Sequence, residues 1–151
     1  MAPKFNLQNV LDIRHSKVEA LEIDLARMLS QQLAMESQLL ILRDFQINLM
    51  MQLAQAQQGD VDIVASNLLR FNIMQTDERI RVARQELQAH LQAVEEKRNE
   101  LVRAKQSEET LQILKRKGIE TYNAELAMKE ASAQDDIYIA RAFRQRQIGA
   151  L

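Results

Sequence analysis

Side chains able to do chemistry are few in this chain and widely spaced. The two histidines, His15 and His90, stand on different stretches with no clustered carboxylates at ligand spacing, so each reads as a solvated residue on a charged helix. Absence of Cys removes thiolate metal sites, disulfides and thiol nucleophiles. Asp60-Val61-Asp62 follows Gly59 but lacks the further oxygen ligands and the internal Gly of a calcium loop. Capping of a helix is its expected role, with Asp60 accepting from the first free N–H groups and Asp62 favourable to the dipole. A Gly-rich phosphate loop, a nucleophile elbow and a zinc-binding helix motif are all missing. No enzyme, no metal and no cofactor is expected.

The features that remain are surfaces. Between Met28 and Gly59 only Glu36, Arg43 and Asp44 are charged, while eight Gln and the pairs Leu39-Leu40 and Met50-Met51 crowd the segment. This apolar arc is wider than one partner helix can cover. Either a connector bearing Leu68, Leu69 and Phe71 folds back over it, or it is an exposed docking face in which flexible thioethers pack against another protein. The ending ARAFRQRQIGAL carries Arg141, Arg144 and Arg146 without an acid, which suits a helix C-terminus or an acidic partner. Three Arg without interleaved aromatics, in a chain of net charge -1, give no case for nucleic acid.

The elements that must carry these surfaces follow from composition. In 151 residues there are three Gly, one Pro and 4% aromatic residues, too few turn formers for a sandwich, barrel or doubly wound sheet. Long helices remain. Alternating steps of four and three from Leu7 pass through Leu11, Arg14, Val18, Leu21, Leu25, Met28, Gln32, Met35, Leu39, Leu42, Gln46, Leu49 and Leu53, and eleven of these fourteen positions are apolar. Such spacing defines a coiled-coil seam facing one partner helix. Polar Arg14, Gln32 and Gln46 within it are expected to set register. At helical rise this first arm, about residues 5–56, is about 78 Å long.

Gly59 suits a helix C-cap and marks a reversal. The densely apolar stretch Val61, Ile63, Val64, Leu68, Leu69, Phe71 and Ile73 forms a short connector helix, about 57–75, either separate from or continuous with the second arm, about 76–147. That arm has a weaker seam at Ile80, Ala83, Leu87, Leu91, Val94, Leu101, Ala104, Leu111 and Leu114, and residues 77–130 hold eleven acids and eleven bases on a solvated surface. Its repeat is expected to shift phase around Lys115 to Gly118, by kinking or local unwinding. The fold class is all-α: a single domain over residues 1–151, a long antiparallel two-helix coiled-coil hairpin with its apolar connector at the tip and the last 15 to 20 residues overhanging. Pro3 precedes the first arm. The N-terminus does not resemble a secretion signal, and charged or amide residues interrupt the longest apolar stretch, so a cytoplasmic protein is expected.

The opening KFNLQNVLDIR, with Phe5, Leu7, Val10, Leu11 and Arg14, resembles the start of the flagellar export protein FliJ family. LQILKRKGIETYNAEL is similar to that family's Leu-x-x-Leu-Lys stretch before a Tyr, here Leu111, Leu114, Lys115 and Tyr122. DDIYIARAF resembles its Asp-Glu-x-Ala-x-Arg-x-Phe region at Asp136, Arg141 and Phe143, with Ile137 where an acid is usual. The resemblance implies a cytoplasmic, non-enzymatic stalk of the flagellar type III export apparatus, tied to the inner membrane only through its partners. Its implied partners are the hexameric export ATPase, the cytoplasmic part of the export gate, and export chaperones. Arg14, Lys17, Arg141 and Arg144 are the implied contacts to the ATPase ring. Gln38, Leu42, Phe45 and Leu49, joined by Phe71, are the implied gate and partner contacts, whereas Asn72, Thr76 and Arg79 depart from the apolar residues expected on the second arm. The alternatives are a substrate-holding chaperone and the stalk of a virulence-type secretion system.

Overall fold

The computed structural model describes residues 4–149, so Pro3 lies outside the described residues. Among the described residues there are two α-helices, α1 (Gln8–Ala56) and α2 (Ile63–Gly149), and they pack against each other as an all-α hairpin. The reversal is built as its residues suggest. Gln57 N still donates to Leu53 O, Gln58 N donates to Gln55 O, and Gly59 then takes a φ of 77°, a left-handed conformation that strains any side-chain-bearing residue.

The next helix is capped by Asp62, not by Asp60. Asp62 Oδ1 accepts from the backbone N–H groups of Val64 at 3.0 Å and Ala65 at 3.2 Å, satisfying two donors that have no partner inside the helix. The apolar connector is not a separate helix. Its residues from Ile63 onward form the first turns of α2, because no breaker lies between Asp62 and Gly118 and the cap at Asp62 starts a helix that nothing interrupts.

Two compact units divide the chain, one comprising Val18–Arg103 and the other joining residues up to Lys17 with those from Ala104 onward. In the first, every expected seam position of α1 from Val18 to Leu53 is buried or half-buried. The facing seam of α2 runs Ser66, Leu69, Ile73, Thr76, Ile80, Ala83, Leu87, His90, Val94, Lys97 and Leu101, also all buried or half-buried, at unbroken steps of three and four. Its apparent weakness in sequence reflects polar seam residues, not a lost register. His90 Nε2 hydrogen-bonds Met28 O at 2.7 Å and Gln46 Nε2 donates to Asp77 Oδ1, which ties the antiparallel arms at two levels. Gln32 serves differently, donating to Glu36 Oε1 on its own helix. On the outer surface of α2, Arg81 Nε donates to Glu78 Oε2 at 2.9 Å, and this bond holds the exposed Glu78 carboxyl below its ordinary range.

In the second unit Leu11 and Arg14 of α1 face Ala104, Glu108 and Leu111 of α2. Arg14 Nη1 donates to Ser107 O at 2.9 Å, while His15 Nδ1 lies 2.6 Å from the Oε1 of buried Glu108. His15 and His90 are therefore cross-arm contacts and not simply solvated side chains. The expected phase shift at Lys115–Gly118 does not occur. Lys115 and Tyr122 are half-buried and Gly118 falls between them at the next position of the same register, whereas Leu114, Ile119 and Leu126 are exposed. A long Lys stem can line a seam while its ammonium reaches water, which is how Lys115 takes the place expected of Leu114. Leu7, the first expected seam residue, is also exposed. From Asn123 to Gly149 only Ala142 is half-buried and the rest is exposed, so the uncovered end of α2 is longer than the 15 to 20 residues expected.

Candidate functional site

In the Val18–Arg103 unit, α1 places Leu42 and Leu49 in the seam and sets Gln38 and Phe45 one heptad apart on its flank. Leu49 is only 5% exposed, so it holds the arms together and is not available to a partner as the resemblance implies. Leu42 is half-buried for the same reason. Phe45 is 48% exposed and Phe71 51%, and the two line one groove together with Asn72, Gln75, Thr76 and Arg79.

The groove exists because Phe71 belongs to the helix that runs antiparallel to α1, which carries it back beside Phe45. Thr76 closes the floor: it is buried, and its hydroxyl donates to Asn72 O at 2.8 Å. Two half-exposed rings flanked by amide donors and one guanidinium can hold an apolar side chain with a carboxylate or a backbone carbonyl beside it. Nothing in this groove is a nucleophile activated by a base. Asn72, Thr76 and Arg79, which depart from the family's apolar pattern, thus do join Phe45 and Phe71, but as the polar rim and floor of the groove. Carrying the three-four count through polar residues would have placed Thr76 in the seam and Asn72 and Arg79 on the flank facing Phe45.

The excess apolar arc of α1 is not covered. Because the connector continues as α2, Leu33, Leu40, Ile41, Ile47, Met50 and Met51 stay exposed, and so do Leu68 and Phe71. The connector does return along α1, with Leu69 and Ile73 in the seam and Phe71 beside Phe45, but it leaves the rest of the arc exposed.

In the other unit lie all four of the expected cationic contacts, Arg14, Lys17, Arg141 and Arg144. The structure does not bring them together. Arg14 meets α2 at Ser107, and Arg141 lies about 50 Å further along that helix. Lys17, Arg141 and Arg144 are exposed, while Arg14 is half-buried and committed to Ser107. Around the distal pair, Tyr138, Ile139, Ala142, Phe143 and Arg146 form a shallow apolar strip on the uncovered part of α2. The sequence singles out the arginines and Phe143 there, while Tyr138 and Ile139 join the strip through the i,i+4 pairs Tyr138–Ala142 and Ile139–Phe143. Among the described residues no group of His, Asp or Glu is placed to hold a metal ion, and no helix is long and apolar enough to cross a membrane.

The fold is thus an all-α helical hairpin that leaves a groove and an apolar strip exposed. The chain belongs to the flagellar FliJ protein family, whose model matches residues 3–147, and is by that membership a flagellar export component. No curated protein and no solved structure matches it.

Proposed function

We propose that this chain is the cytoplasmic, non-enzymatic stalk of the flagellar export ATPase, promoting assembly and activity of the hexameric ring, linking it to the cytoplasmic part of the export gate and escorting export chaperones. Family membership over nearly the whole chain supports the export role. The observation that carries the finer reading is that the seam leaves two different surfaces uncovered, one in each unit. The Phe45–Phe71 groove is the gate contact in this reading, and the uncovered end of α2 with Arg141 and Arg144 serves the ring. Attachment to the membrane is then entirely through partners.

The test uses two double variants of the full chain. Phe45→Asp with Phe71→Asp loses binding to the purified gate domain while still stimulating ATP hydrolysis and hexamer formation by the cognate ATPase. Arg141→Glu with Arg144→Glu does the reverse. Loss of both activities in both variants, or no stimulation by the unaltered chain, removes the stalk reading. The exposed apolar row of α1 also favours a second reading, a chaperone that holds unfolded clients; there Phe45→Asp abolishes client binding and the ATPase does not respond to the unaltered chain.

A further inference from the structure

Along α1 a second heptad pattern lies outside the seam. Leu33, Leu40 and Ile47 form one row at intervals of seven, and Leu29, Glu36, Arg43 and Met50 form another, three residues on from the first row at each repeat. Together the rows make a three-four stripe like that of the seam itself; Leu29 and Glu36 at its edge are half-buried, while Leu33, Leu40, Arg43, Ile47 and Met50 are left exposed. Leu33 is 67% exposed, Leu40 59% and Ile47 53%. A helix with two such stripes is built to pack against two neighbours, and only one neighbour is present within the chain.

We propose that the second neighbour is α1 of another copy of this chain, packed antiparallel along this stripe. Charge placement selects this occupant. Glu36 accepts from Gln32 on its own helix but has no cation opposite it there, since Arg43 sits one heptad away on the same row, about 10 Å along the helix and too far to pair with it. A twofold axis crossing near Leu40 sets Glu36 of each copy beside Arg43 of the other, so both charges are answered by one self-complementary surface. A parallel pair would instead oppose Glu36 to Glu36 and Arg43 to Arg43. Around the stripe, Met51 adds to Leu33, Leu40, Ile47 and Met50, and at about 100 Å² for each large apolar side chain the two copies cover roughly 1,000 Å², the threshold for a specific interface.

The stripe and the Phe45–Phe71 groove do not compete. Phe45 lies about 160° around the helix from Ile47, so self-pairing leaves the groove open. The proposal does not rest on the stalk reading, since its test is made on the purified chain alone.

Sedimentation and light scattering of the purified full chain at about 100 μM should show a dimer, with a dissociation constant on the order of 10 μM. Leu40→Asp should leave a helical monomer. Glu36→Arg should weaken the dimer by about tenfold, as should Arg43→Glu, and the double exchange Glu36→Arg with Arg43→Glu should restore it, because only the antiparallel pair juxtaposes these two positions. A monomeric unaltered chain, or a dimer that survives Leu40→Asp, overturns the proposal. Charge variants without effect and without rescue overturn the antiparallel pairing. A monomer whose Leu40→Asp variant loses binding to purified export ATPase or gate domain assigns the stripe to that partner instead, and equally overturns it.

Discussion

Gly59 and Gly118 invite the same substitution, alanine, and the structure assigns it opposite signs. Gly118 lies within continuous α2 at a seam-register position, between Lys115 and Tyr122, and beside a small groove also lined by Lys4, Phe5 and Ile119. A Cβ there meets nothing within 4 Å. Alanine therefore introduces no clash and removes the entropy that glycine loses in a helix, a gain of about 1 kcal/mol. For a chain of this length such a gain raises the melting temperature by about 2–4 °C. At Gly59 space is equally open, but the φ of 77° makes any Cβ strain against the backbone, a cost of about 1–2 kcal/mol that lowers it by a few degrees. Thermal melts followed by far-UV circular dichroism on both variants read the difference. A lower melting temperature for Gly118→Ala would refute the reasoning, showing that the open space beside Phe5 is needed by the packing. Equal effects at the two positions would refute the assignment of Gly59 to the left-handed region.

Ser66 occupies a seam position at 3% exposure, and its hydroxyl is buried without a hydrogen-bond partner. Ser66→Ala should stabilise the chain by about 1 kcal/mol in urea titration, and a loss of stability would mean the hydroxyl is bonded. Leu49 and Phe45 lie four residues apart in roles that differ by burial. Leu49→Ala should cost about 2–5 kcal/mol in the same titration, whereas Phe45→Ala should cost well under that and instead weaken partner binding; equal destabilisation would place Phe45 in the core.

Much of the fold was legible along the chain. The scarcity of Gly and Pro and the three-four spacing of Leu11 to Leu53 required a long helix facing one partner, since both are properties of local backbone geometry and periodicity. Gly59 marked the reversal for the same reason. The second arm is less legible because apolarity alone does not mark its seam. Thr76, His90, Lys97 and Glu108 occupy its seam, and polar residues announce burial only once a partner is known to lie opposite. The supposed shift at Gly118 has the same origin, since Leu114 and Ile119 are apolar and exposed while Lys115 takes the seam.

What the sequence determined by itself was the secondary structure, the point of reversal and the family resemblance, all of which depend on spacing within a few turns. Tertiary structure decided which half of each apolar surplus is used. It buried Leu49 while leaving Phe45 open, brought Phe71 beside Phe45 from the other arm, and turned two isolated histidines into cross-arm bonds to Met28 and Glu108. It also left the Leu33–Leu40–Ile47 row without a neighbour in the chain. These outcomes depend on the register in which two helices meet, and a single helix carries its periodicity but not the identity of what stands across from each turn.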